Sequence, residues 1–486
     1  MNRILFLLHR YLGIALGLVM SIWCLSGIVM MYVQYPEMSA LDEARSLEPL
    51  DLAGCCILPA DLEGADRSAL DAYRIEMMAG RPVLRLDQSS GEQRYMDLAT
   101  GSFLTELSER EATTVAKSFA MTAGVDSYRF AGLVERDQWT VYGAYDVYRP
   151  FYKFIGDDDS VTAWYVSSQT GEVVQFTTGS DRFWNWLGAV PHWLYPTLLR
   201  QHTYLWSQVV IWLTIFCTFL TVLGIYVGIR QYRSRRSGRR SPYKGAALWH
   251  HYAGLFFGVL TLTWLVSGFF SMNPWGALES RSFSDEQARH QGSSLEFDRA
   301  AQSQIETLGE SSLADAVVRL QAHVVNDRRF FIAWDQQGDR HRLNADLRKV
   351  YPLVQHAILK AAGTLRPETG VRSEGWLSED DAYYYDHHEK LSFPVYRIVY
   401  EDGERFYLDD LTGEVLLAVD TNSRLYRWLH YGLHRGDFAN WIRARPIWDL
   451  VMLILLAAVT TGALTGTWMG MRRLIRSRTS VSGRPA

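Results

Sequence analysis

Four stretches of the chain are almost purely apolar: Tyr11 to Val33, Leu205 to Ile229, Trp249 to Met272 and Ile447 to Met469. Each matches the roughly 20 residues that an α-helix needs to cross a bilayer core. The pattern predicts four membrane-spanning helices, since no soluble fold calls for such runs. The first run follows Arg3 and precedes Met38-Ser39-Ala40, which loosely resembles a signal-peptide cleavage site. It is longer than the apolar core of a signal peptide, and a closely similar segment recurs at the third stretch, so it reads as a retained span.

The stretches between spans, 34–185 and 273–425, read as α+β. Short β-patterned runs such as Arg81 to Leu86, Trp164 to Val166 and Arg405 to Leu408 end at turn signals, and Leu313 to Val324 has helical periodicity. Asp97-Leu98-Ala99-Thr100-Gly101, Ser167-Ser168-Gln169-Thr170-Gly171 and Asp409-Asp410-Leu411-Thr412-Gly413 share one form, a short polar run closed by Gly. Gly accepts the positive φ that a hairpin turn demands. Asn344 to Arg348 reads as a degenerate fourth copy without the Gly.

The chain repeats itself. Leu8-His9-Arg10-Tyr11-Leu12-Gly13 matches Trp249-His250-His251-Tyr252-Ala253-Gly254 at a shift of 241, and the match continues through Gly17 and Gly258, Trp23 and Trp264, Ser26 and Ser267, Gly27 and Gly268. At a shift of 242, Tyr165, Thr170, Gly171 and Glu172 recur as Tyr407, Thr412, Gly413 and Glu414. The same register pairs Trp186 with Trp428, His192 with His434, Trp206 with Trp448, Gly224 with Gly466 and Gly228 with Gly470. Both halves leave from one side of the membrane and return to it, so the repeats are parallel and related by a pseudo-twofold axis along the membrane normal. Equivalent residues are expected to face each other across that axis.

Charge sets the orientation. Seven cations between Arg230 and Lys244, with no acid among them, and Arg472, Arg473, Arg476 and Arg478 after the fourth stretch place these segments and the N-terminus in the cytoplasm. The formal total of −4 includes fourteen cytoplasmic cations, which leaves −18 for the rest of the chain. An acidic exterior disfavours polyanions, nucleic acid included, and favours neutral or cationic ligands. Four cysteines form no disulfide framework: Cys24 and Cys217 lie within spans, and the adjacent Cys55 and Cys56 are expected as free thiols.

The His-Arg-Tyr-x-Gly opening of the first span and its repeat at His250, the Thr-Gly-Glu-Val hairpins, Pro191-His192-Trp193 and Leu433-His434-Arg435-Gly436 together resemble the PepSY-associated transmembrane family of bacterial inner-membrane proteins. The resemblance covers essentially the whole chain. It implies a four-helix bundle of duplicated two-helix units carrying two periplasmic PepSY-like domains. In one branch of the family it implies reduction of ferric siderophores through haem b groups held in the bundle; isolated PepSY modules are associated with peptidase inhibition.

The histidines support the first implication on their own. Ionisable side chains at membrane depth are costly and default to a functional reading, and two imidazoles from facing helices make a six-coordinate haem suited to electron transfer. His9 and His250 or His251 lie at the cytoplasmic ends of spans; His192 and His434, with His430 and His202 as substitutes, lie just before the second and fourth spans. Gly13 and Gly17 share a helical face with His9, as Gly254 and Gly258 do with His250, and are expected to clear space for haem; a Gly-x-x-x-Gly stripe equally serves close helix packing. Two haems are expected. The rival for these histidines is interfacial anchoring.

The expected order is span 1–33, external domain 34–185, interfacial segment and span 186–229, basic loop 230–248, span 249–272, external domain 273–425, interfacial segment and span 426–470, and tail 471–486. In the external domains Asp137-Gln138-Trp139-Thr140 aligns with Asp381-Ala382-Tyr383-Tyr384 and Pro150-Phe151-Tyr152-Lys153 with Pro394-Val395-Tyr396-Arg397. The second copy adds Tyr385, His387 and His388, read either as a metal or chelate site or as a strand face with exposed histidines. No paired CxxC, haem-attachment motif or nucleotide loop occurs, and the cytoplasmic segments are too short for a flavin domain. Electrons would then come from quinol or a partner protein and pass to a ferric chelate. The alternatives are a membrane-anchored sensor or peptidase regulator without catalysis and, last, a metal permease.

Overall fold

In the computed structural model, residues 2–53, 55–57, 70–88, 93–232, 240–295, 297, 299–309, 317–344, 348–350, 355–386 and 391–482 are described. They form two compact units. One holds residues 1–35, 181–280 and 421–486, and the other 36–180 and 281–420.

The first unit carries the spans. Asn2–Met30, Thr203–Gln231 and Ile447–Ser482 are continuous helices long and apolar enough to cross a membrane. The third apolar stretch is a bent pair, Ala246–Phe256 and Gly258–Ser271, meeting at 64°. Phe257 sits at the break with φ −111° and ψ 5°, outside the helical basin. Counted as one span, the pair brings the total to four. The first span packs on the second and fourth, and the third on the second and fourth. Two glycines set the close approaches: an added Cβ on Gly17 would lie 2.8 Å from Thr467 Oγ1, and one on Gly258 would lie 2.8 Å from Ile225 Cγ1. Ile225 and Thr467 are themselves repeat partners at the shift of 242, so the duplication extends to helix contacts.

The second unit is built from three antiparallel sheets. β1 (Leu70–Met78), β2 (Arg81–Gln88), β3 (Gln93–Asp97) and β4 (Ser102–Phe103) continue through β9 (Val317–Val325), β10 (Arg328–Asp335) and β11 (Arg340–Leu343) into one seven-stranded sheet, ordered β11-β10-β9-β1-β2-β3-β4. β5 (Tyr128–Val134), β6 (Phe151–Gly156), β7 (Ala163–Ser167) and β8 (Val173–Thr177) form a second sheet. β12 (Val371–Leu377), β13 (Val395–Tyr400), β14 (Arg405–Asp409) and β15 (Val415–Val419) repeat it. The seam of the large sheet is β1 against β9, with Tyr73 opposite Ala322 and Ile75 opposite Leu320. Strands from both repeats thus share one sheet and one core around Tyr73, Ile75, Leu320 and Phe331.

The helical periodicity of Leu313 to Val324 is overturned: Val317–Val325 is strand β9, and 313–316 lie outside the described residues. Val318, Leu320, Ala322 and Val324 alternate with Arg319, Gln321 and His323, the period of a strand, and Leu320, Ala322 and Val324 enter the core of the large sheet. The three Gly-closed turns fall where the pattern puts them, with Gly101 at φ 71°, Gly171 at 70° and Gly413 at 77°. The helix Glu109–Ala123 starts at a Ser108–Glu111 capping box, stops at left-handed Gly124, and lays Ala112, Ala116 and Phe119 against Phe154 and Trp164. Cys55 and Cys56 are joined in a disulfide, where free thiols were expected.

A buried charge cluster crosses the seam. Glu76 on β1 receives Arg85 Nε at 2.9 Å, Arg74 at 3.2 Å and Arg319 of β9 directly opposite. Burial works against the Glu76 carboxylate, yet Arg319, Arg74 and Arg85 hold its pKa far below the usual range. The repeated tetrads are also used inside the fold. Lys153 pairs with Asp137 at 2.5 Å and Tyr165 Oη donates to the same carboxylate. Arg397 pairs with Asp381 at 3.0 Å and Tyr407 Oη donates to it at 2.9 Å. Tyr384 stacks on Tyr407, so this part of the tyrosine run is core.

Candidate histidine pairs in the membrane unit

The membrane unit brings four of the histidines together as two pairs. His9 and His250 have ring centroids 6.2 Å apart, and His192 and His434 6.1 Å apart. Each pair joins one histidine from each half, as a twofold relation between parallel repeats requires.

Each half orients its own imidazoles. His9 Nδ1 lies 3.3 Å from the Leu220 carbonyl of the second span, and His250 Nδ1 lies 2.9 Å from the Gly462 carbonyl of the fourth. One helical turn further, Gly224 and Gly466 face the same rings: a Cβ on either would lie 2.8 Å from Cε1 of His9 or His250. A carbonyl followed four residues later by glycine therefore forms the seat for each ring. A carbonyl only accepts, so Nδ1 carries the proton and Nε2 keeps its lone pair.

The second pair follows the same logic with other parts. His192 Nδ1 lies 3.1 Å from both the Trp23 carbonyl and Ser26 Oγ, and His434 Nδ1 lies 2.9 Å from Ser267 Oγ. Ser26 donates to Ile22 and Ser267 to Trp264, so each hydroxyl accepts from the imidazole. Gly27 and Gly268 face these rings at ideal-Cβ distances of 3.4 and 3.9 Å from Cε1. His192 ends the four-residue helix Ala189–His192, whereas His434 lies in the last turn of a continuous helical run, 421–435, that widens into a π turn over Arg427–Gly432. A helix of four residues does not hold itself. Trp206 Nε1 donates to Trp193 O at 2.8 Å and Trp448 Nε1 to Arg435 O at 2.7 Å, so an indole at the head of each following span clamps the residue after each histidine.

The other candidates separate. His251 is buried with both nitrogens engaged, Nδ1 with Ser241 Oγ at 2.8 Å and Nε2 with Gly228 O at 2.9 Å, which leaves His250 as the partner of His9. His202 is exposed at the start of the second span. His430 lies on a π-helical turn, Arg427–Gly432, with its ring 5.4 Å from that of His434. His387 and His388 lie outside the described residues. Of the glycines expected to clear space, Gly13 and Gly254 lie where an added Cβ would meet nothing within 4 Å. Gly17 and Gly258 instead serve the helix contacts described above.

These positions can be tested against haem. A histidine nitrogen sits about 2.0 Å from a bound metal and about 1.1 Å from its ring centroid, so axial imidazoles in line across one iron have centroids about 6.2 Å apart. Both pairs match that separation. Hydrogen-bonded Nδ1 with an unengaged Nε2 is the usual state of a metal-binding histidine. Among the described residues no group of three or more His, Cys, Asp or Glu could hold a metal ion. Haem needs only two protein ligands, because the porphyrin supplies four nitrogens.

A family model described as the PepSY-associated TM region matches residues 6–473. The chain belongs to the PepSY-associated transmembrane family. No curated protein matches it. Family membership agrees with the spans and the sheet unit found here, and makes this a membrane protein. The match runs through both repeats, so all four paired histidines fall within it.

Proposed function

We propose that this PepSY-associated protein is an inner-membrane electron carrier that binds one b-type haem at each histidine pair and reduces a ferric chelate, a siderophore or similar, in the periplasm. His9 and His250 would hold the haem on the cytoplasmic side and His192 and His434 the one on the periplasmic side, in a bundle of four spans. The carrying observation is the pairing itself: two repeat-related imidazole pairs, each at an axial-ligand separation, with Nδ1 tied back. Bound there, haem supplies reversible one-electron transfer. The chain supplies the rest. Carbonyls and hydroxyls fix the tautomers, Gly13 and Gly254 leave room beside the first pair, and the apolar spans exclude water.

The arginine-rich segments before the third span and after the fourth support the orientation. The donor would be quinol or a cytoplasmic partner. One electron converts Fe(III) to Fe(II), which oxygen-rich chelators hold less tightly. The test is the absorption spectrum of the purified protein, oxidised and dithionite-reduced, followed by addition of a ferric siderophore. A b-type Soret band that shifts on reduction and is restored by the siderophore is the expected result. A colourless preparation from haem-replete cells overturns the reading in favour of a non-catalytic sensor or peptidase regulator. A haem protein that no ferric chelate reoxidises overturns the substrate alone.

A further inference from the structure

One histidine near the second pair has no role in that reading. His430 precedes His434 by one helical turn, and its ring centroid lies 5.4 Å from that of His434 at an interplanar angle of 38°. It is carried by the π-helical turn Arg427–Gly432, and such turns concentrate at functional sites because the widened backbone re-aims a side chain. Tyr426 and Tyr431 flank it at 5.4 and 4.9 Å. Its Nδ1 is buried without a hydrogen-bond partner among the described residues. His251 shows what a structural histidine looks like in this unit, with both nitrogens bonded.

The position is also asymmetric. At the shift of 242 its counterpart is Gly188, where a Cβ would lie 3.0 Å from Val29 Cγ1. The first half has no room for a second imidazole beside His192.

We propose that His430 is a reserve axial ligand for the haem of the His192–His434 pair. It takes the iron when His434 leaves, one iron–nitrogen bond breaking as another forms, with no change in electron count. This rests on the haem reading above, and deepens it by making one ligand of one pair replaceable and the other three not.

The experiment compares full-length wild type, His434→Ala, His192→Ala and the double variant His430→Ala/His434→Ala, purified from haem-supplied cells, by absorption and by low-temperature electron paramagnetic resonance of the ferric state. Wild type is read first; absence of haem there removes the reading on which the proposal rests. With haem present, His434→Ala is expected to keep both centres low-spin. The double variant should convert one centre to high spin, as should His192→Ala with His430 in place. If His434→Ala is already as high-spin as the double variant, or has lost the same haem, His430 is not a ligand. Should His434→Ala fail to accumulate, His434→Gln, close to histidine in volume but a poor ligand, decides by the same criterion.

Discussion

The two histidine pairs have nearly the same ring separation but are held differently. His9 and His250 sit within spanning helices, and each is seated by a neighbouring span through a carbonyl and a glycine four residues on. His192 ends a helix of four residues and His434 lies in the last turn of the run 421–435, and both are held by serine hydroxyls and by indoles from the following spans. In the first case the bilayer dictates the helix, and the helix places the ring. In the second, tertiary hydrogen bonds do that work. A ligand fixed by backbone fails abruptly when its seat is filled, whereas one fixed by several side-chain contacts fails by degrees.

The largest effect tests the pairing. His9→Ala or His250→Ala is expected to remove one of two haems, halving the haem-to-protein ratio in a pyridine haemochrome assay, since the adjacent His251 has both nitrogens engaged. Equal loss from either variant is required; if only one of the two matters, the pair is not a shared site.

Next is the seat. Gly224→Ala and Gly466→Ala each place a methyl 2.8 Å from a ring carbon, closer than real contacts allow, so the ring must move. Gly268→Ala brings the same methyl to 3.9 Å, ordinary van der Waals contact. Haem content should fall toward half in the first two and stay near wild type in the last. Comparable retention in all three would erase the distinction between the pairs.

The architecture was legible from periodicity because its elements answer to strong constraints. Four apolar runs read as spans, and three turn glycines read from Asp97, Ser167 and Asp409 onward adopt positive φ. The repeat at shifts of 241 and 242 led from single histidines to pairs. Strand β9 alternates Leu320, Ala322 and Val324 with Arg319, Gln321 and His323, and only joining it to the apolar residues from Leu313 onward gives the run a helical reading. What the chain hid was where long-range contact decides. The bend at Phe257 has no proline to announce it. Gly17 and Gly258 follow the histidine stripe one turn too far and meet other helices instead. Gly224 and Gly466, which do seat the rings, stood out only as repeat partners, because the histidine each serves is more than two hundred residues away.

The indole clamps give a smaller effect. Trp206→Phe and Trp448→Phe keep the ring volume nearly intact and each leaves one carbonyl, of Trp193 or Arg435, without its donor. A lost hydrogen bond of this kind costs about 1 kcal/mol. The expected outcome is a lower melting temperature in detergent with both haems retained and the first pair's spectrum unchanged. A change at the first pair would mean that the two sites are not independently held.

The smallest effect is the most specific. Ser267→Ala removes the hydroxyl that accepts from His434 Nδ1, at a cost of about 1 kcal/mol or less, because the Trp264 carbonyl stays beside the ring. Its counterpart Ser26→Ala does the same to His192, where the Trp23 carbonyl remains at 3.1 Å. Weakening the bond at Nδ1 lowers the basicity of Nε2 and hence its donation to a metal. Redox titration should therefore show a modest rise in one midpoint potential in both variants, with the other unmoved. If the two serines act equally, the halves are equivalent at this pair. A larger response in Ser267→Ala would mean that His434 is the more loosely held ligand, as its neighbour His430 implies.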